Sequence, residues 1–86
     1  MITLFNESKS TIRVAVNRWA DGDTSFFKIN NGGTEKWDRG DENGFVMAIK
    51  FDSNIIKRYY VKADSVITVE PLNIVLDGVN TINPVG

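Results

Sequence analysis

Two tryptophans stand in polar, charged company, in Asn17-Arg18-Trp19-Ala20-Asp21-Gly22-Asp23 and in Trp37-Asp38-Arg39-Gly40-Asp41-Glu42-Asn43-Gly44. They are the only tryptophans in the chain. An indole beside Asn, Arg and Asp offers a flat apolar face next to directional donors and acceptors, which is the chemistry that holds a polar ring such as a sugar. In the second segment Arg39 can present its planar fork of donors to vicinal hydroxyls. Asp38, Asp41 and Asn43 can accept from the same hydroxyls, and Trp37 can cover the C–H side of the ring. The competing reading makes Trp37 a core residue at the end of a sandwich and Asp38 with Arg39 a surface ion pair of little energetic weight. In the first segment Asn17 and Arg18 flank Trp19 in the same way, but a tryptophan with an arginine equally suits a contact between subunits.

Other chemistries fit these residues less well. Asp21, Asp23, Asp38, Asp41 and Glu42 do not follow the alternating ligand spacing of a calcium loop, and acidic residues in turns serve turn geometry, so no metal site is expected. The chain has no histidine and no cysteine, which removes Ser-His-Asp and Cys-His arrangements. Paired carboxylates such as Asp38 and Asp41 would need a deep cleft for glycoside hydrolysis, and a small sandwich leaves little room for one. No catalytic residue and no cofactor are therefore expected. Ten basic against eleven acidic residues leave a net charge of −1, which supplies no general field for a phosphate backbone, so nucleic acid is not an expected partner.

The elements that must position the tryptophans are β-strands. Short runs rich in β-formers recur between clusters of Asn, Asp, Gly and Ser, with no sustained helical periodicity. Strands are expected at about 2–5, 11–19, 24–29, 34–37, 45–51, 55–62, 66–70 and 72–76. The fold class is all-β, a small antiparallel β-sandwich or partly open barrel of about six to eight short strands. Asn30-Asn31-Gly32-Gly33, Asp21-Gly22-Asp23 and Asp52-Ser53-Asn54 carry turn chemistry and are expected to close hairpins.

Alternation puts Ile12, Val14 and Val16 on one side of the second strand and Arg13, Ala15, Asn17 and Trp19 on the other. Phe45, Met47, Ile49 and Phe51 make the heavier, inward face of the fifth strand. Phe27 and Ile29, with Leu72, Ile74 and Leu76, complete the expected inner layer. The sixth strand is ambiguous, because Ile55, Tyr59 and Val61 compete with Ile56 and Tyr60. The tail after Asp77 has alternate apolar residues that can pair with a sheet edge or with a second subunit.

The 86 residues make one domain, 1–86, which at this size buries only about 60 to 65% of its unfolded surface. Without disulfides or a zinc site, the expected reinforcement is a homodimer. The N-terminal Met1-Ile2-Thr3-Leu4-Phe5-Asn6-Glu7 lacks the features of a signal peptide, so localisation is open between the cytoplasm and release without a classical signal. No run approaches the apolar length of a membrane helix, and membrane insertion is not expected.

Several segments together resemble a known family. Ile2-Thr3-Leu4-Phe5-Asn6-Glu7-Ser8, Val14-Ala15-Val16-Asn17-Arg18-Trp19, Asp23-Thr24-Ser25-Phe26-Phe27 and Glu35-Lys36-Trp37-Asp38-Arg39-Gly40-Asp41 with Gly44-Phe45-Val46-Met47 are similar to the small fungal fruit-body lectins of the Lyophyllum α-galactosyl-binding type. The similarity covers mainly the first fifty residues. It implies a dimeric β-sandwich lectin that binds terminal galactosyl glycans without catalysis. The short opening strand, Asn turn and aromatic second strand are also similar to the aegerolysins, small membrane-binding β-sandwiches. That likeness implies a protein- or membrane-binding module; the residues themselves offer Trp19 and the Tyr59-Tyr60 region as an apolar patch rimmed by charge.

Overall fold

The computed structural model describes residues 1–17, 26–40, 42–51 and 54–85. Among these the chain forms nine strands: β1 (Ile2–Asn6), β2 (Ile12–Val16), β3 (Phe27–Ile29), β4 (Thr34–Trp37), β5 (Phe45–Lys50), β6 (Ile56–Val61), β7 (Val66–Glu70), β8 (Ile74–Asp77) and β9 (Asn80–Ile82). They build two sheets, ordered β4-β1-β7-β8-β9 and β3-β2-β5-β6. The protein is a small β-sandwich. All pairings are antiparallel except β1 with β7, which run parallel, so the first sheet is mixed rather than antiparallel throughout.

The inner layer follows the alternation of the strands. Ile2 and Leu4 of β1, Ile12, Val14 and Val16 of β2, Met47 and Ile49 of β5 and Ile67 and Val69 of β7 are all buried in one cluster. In β6 the ambiguity resolves inward for Tyr59 and Val61 and outward for Ile56 and Tyr60.

Two expectations about the core are corrected. Phe27 is 46% exposed, because β3 is a three-residue strand with no neighbour beyond it among the described residues. Leu72, Ile74 and Leu76 are not the inner set: Leu72 is 91% exposed and Ile74 is exposed, while Val75 is buried. The cause is a single 3₁₀ turn over Pro71–Asn73, with Leu72 and Asn73 at positive φ (66° and 60°). The turn brings Ile74 opposite Glu70 and Val75 opposite Val69, so Val75 inherits the inward face.

Among the described strands the chain passes between the sheets four times, and these crossings position the candidate site. Asn30-Asn31-Gly32-Gly33 is one of them rather than a hairpin turn, since β3 and β4 lie in different sheets. It meets the β1–β2 crossing at the fully buried Asn6. The Asn6 amide donates to the carbonyls of Ser10 (2.8 Å) and Ile29 (2.9 Å), and its Oδ1 accepts from the Ser8 N–H (3.0 Å) and Ser8 hydroxyl (2.6 Å). Its backbone pairs with Gly32 and Gly33. One side chain thus fastens both crossings, with its buried polar atoms satisfied.

The other two crossings, β4–β5 and β6–β7, lie at the opposite end of β1. Asp52-Ser53-Asn54 connects an antiparallel β5–β6 pair as expected, although Asp52 and Ser53 themselves lie outside the described residues. The tail pairs within the chain: β9 extends the first sheet, and the Val85 N–H donates to the Arg58 carbonyl on β6 of the second sheet (2.7 Å).

Candidate functional site

Trp37 ends β4 opposite Ile2, and its side chain is 4% exposed. Its ring meets Phe27 edge to face, with centroids 6.4 Å apart and planes at 62°. The expectation that Trp37 stacks on a ligand is therefore corrected: its inward register places the indole between the sheets, where no ring can reach its face.

Asn17 and Arg39 are committed largely to the frame. Beyond the end of β2, the Asn17 Oδ1 accepts from the Val46 N–H (2.8 Å) while the Asn17 N–H donates to the Val46 carbonyl (3.3 Å). The side chain thus adds a rung to the β2–β5 ladder. Arg39 is half-buried. Its Nε donates to the Asn17 carbonyl (3.1 Å), its Nη2 to the Val16 carbonyl (3.2 Å) and its Nη1 to the Asp38 carbonyl (3.3 Å). A guanidinium holding strand-end carbonyls ties the β4–β5 crossing to β2, which a lone surface pair with Asp38 would not do. Asp38 and Asn43 are exposed. Arg18, Trp19 and Asp41 lie outside the described residues.

The aromatic surface near this loop belongs to Tyr60, which is 53% exposed. Tyr59 packs inward, so the period of two turns Tyr60 out, and the register sets Tyr60 opposite Val46, next to the end of the β4–β5 crossing. Its hydroxyl donates to the Asn43 carbonyl. The ring lies over Gly44, whose φ is +86° and where a Cβ would come 2.5 Å from the Tyr60 oxygen and 3.0 Å from the Val61 carbonyl. Only glycine fits the close approach and the left-handed backbone together.

Around Tyr60 the two crossings enclose an open groove of about 410 Å³, lined by Met1, Arg39, Gly40, Glu42, Tyr60, Lys62, Ala63 and Asp64. A clamp fixes its far wall. The Ser65 hydroxyl accepts from the Lys62 N–H (2.9 Å) and donates to Asp77 (2.9 Å), and the Thr3 N–H donates to the Ser65 carbonyl (3.0 Å). The groove offers one exposed aromatic face, two cations and two carboxylates on fixed backbone, which suits a polar ring better than a proton-transfer reaction.

Of the site residues expected from sequence, the structure brings Arg39 into this groove, with Asn43 bonded to its aromatic wall. Glu42, Lys62 and Asp64 were missed as site residues, because only the meeting of two sheet crossings joins them. The available signal was the Tyr59-Tyr60 pair, of which one member had to face outward. Comparison with protein-family models, with curated proteins and with solved structures finds no match to this chain.

Proposed function

We propose that the protein is a non-catalytic carbohydrate-binding β-sandwich whose site is the Tyr60 groove, taking the galactosyl terminus of a glycan. The carrying observation is the exposed Tyr60 ring beside Arg39, Glu42, Lys62 and Asp64 in one groove. The aromatic face covers the apolar side of a sugar ring. The charged groups exchange directional hydrogen bonds with its hydroxyls, the Lys62 ammonium donating where Glu42 and Asp64 accept. The choice of galactose comes from the resemblance to the fruit-body lectins; the chemistry of the groove supports a polar ring in general.

A single open site of this size binds one saccharide weakly, and two copies of the chain joined as a homodimer would gain avidity through effective concentration. The outer face of the first sheet supports such a dimer. It presents Phe5, Val66 and Ile74 among Thr3, Thr34, Thr68 and Thr81, with Lys36 and Glu70 as the charged strand residues facing outward there among the described residues.

Glycan-array screening followed by titration with the best galactoside tests this reading. Tyr60→Phe, which keeps the face, should bind nearly as the parent does, whereas Tyr60→Ala should weaken binding about tenfold, in line with the roughly 1 kcal/mol of an aromatic contact. Absence of binding to any neutral glycan on a broad array would overturn it.

A further inference from the structure

The outer face of the second sheet carries a line of positive charge. Register places Lys28 of β3, Arg13 of β2 and Lys50 of β5 directly opposite one another on three adjacent strands, and Arg58 of β6 stands one pleat row away, opposite Ala48. The remaining described strand positions on this face are Ala15, Val46, Ala48, Ile56 and Tyr60, so no described strand carboxylate shares it. Arg13, Lys28 and Arg58 are exposed and Lys50 is half-buried. A net charge of −1 conceals this separation.

Like charges directly opposite across strands destabilise a sheet, and Arg13 faces a lysine on both sides. An anion over the row removes that cost. A depression of about 120 Å³ opens at the same place, lined by Thr11, Arg13, Lys50, Phe51 and Asn54. It has the size and donor chemistry for a single tetrahedral oxyanion.

We propose that this face binds a sulfated linear polysaccharide, with one sulfate in the Arg13–Lys50 depression and neighbouring sulfates on Lys28 and Arg58. Adjacent strands lie about 4.8 Å apart, so the cations repeat at roughly the advance of one sugar unit along an extended chain. A flexible chain can set its sulfates on this short row and leave the carboxylate-bearing surfaces untouched. A rigid duplex of uniform high charge extends past the row, and the chain's net charge supplies no field to hold it. The face stands on other residues than the Tyr60 groove. A protein that bound galactosides but no sulfated chain would keep the reading of the groove and lose this one, and the reverse result would do the opposite.

The experiment is titration of the full chain with a short heparin oligosaccharide, the same oligosaccharide after desulfation, a short DNA duplex, and phosphatidylcholine vesicles containing phosphatidylserine. The sulfated oligosaccharide should bind, and its log affinity should fall linearly with log salt. Arg13→Gln with Lys50→Gln should weaken it about tenfold or more and reduce the salt slope by about two, one per cation removed. Lys9→Gln with Lys57→Gln, an equal loss of charge away from this face, should leave it unchanged. The Arg13/Lys50 variant should melt no lower than the parent, since it loses a repulsion. Equal binding before and after desulfation, binding of DNA or vesicles as tight as that of the sulfated chain, or equal weakening by the two pairs of substitutions would overturn the proposal.

Discussion

At the scale of single residues, the side chains that drew attention in the sequence divide between frame and surface. Trp37 went to the core, Asn17 to a strand ladder and Arg39 to the carbonyls at the end of β2, while Tyr60 took the exposed aromatic position beside them. Its neighbour Tyr59 leads to a pH prediction. Burial raises the Tyr59 pKa above its ordinary value of 10.0. The unfolded chain therefore loses this proton at lower pH than the folded one, so the contribution is fully present below about pH 10 and is lost as pH climbs towards the raised folded value. Denaturant unfolding measured across the alkaline range should show stability falling from about pH 10 upward, with a shallower fall in Tyr59→Phe. An unchanged slope in that variant would assign the alkaline loss to other groups.

At the scale of elements, the crossings between sheets carry the site, and Gly44 is the residue on which one crossing depends. Gly44→Ala must bear both the left-handed backbone and the overlap with the Tyr60 ring. It should therefore cost well over about 1 kcal/mol in urea denaturation. Combining it with Tyr60→Ala removes the overlap but leaves the backbone cost and the Val61 carbonyl, so the double-variant cycle should show a favourable coupling. Additive costs would mean that the ring does not press on this turn.

Most strands were legible: the expected inward sets of β2 (Ile12, Val14, Val16) and β5 (Phe45, Met47, Ile49) are buried, although Ala15 and Ala48 of the opposite sets are buried as well. β8 was not, because the one 3₁₀ turn at Pro71–Asn73 shifts which alternate set faces in, and a shift of one residue inverts every side chain after it. Local spacing also made Asn30–Gly33 look like a hairpin. Whether two successive strands pair or pass to different sheets depends on partners far along the chain, and β4 pairs with β1.

At the scale of the whole molecule, the two outer faces differ in character. The first sheet shows threonines with Phe5, Val66, Ile74 and Leu76, and the second shows Arg13, Lys28, Lys50 and Arg58. A dimer through the first face would leave both cationic faces and both Tyr60 grooves outward. Sedimentation equilibrium should then return twice the chain mass, and Val66→Lys with Ile74→Lys should return the monomer, because burying unpaired lysines opposes association. A parent protein that sediments as a monomer at every concentration would exclude this dimer.

What the sequence alone determined is the all-β class, the inward set of β2 and β5, and the presence of a charged, glycine-containing loop between β4 and β5. These are properties of residue type and of a period of two, which need no knowledge of distant partners. What only the tertiary structure decided is which aromatic meets solvent and which charges stand together. Trp37 and Tyr60 carry similar local signals, and they part because register sets one against Ile2 inside the sandwich and the other against Val46 outside it. Likewise Arg13, Lys28 and Lys50, spread over thirty-eight positions of chain, become one cationic row through strand pairing, a long-range choice made by the packing of the core.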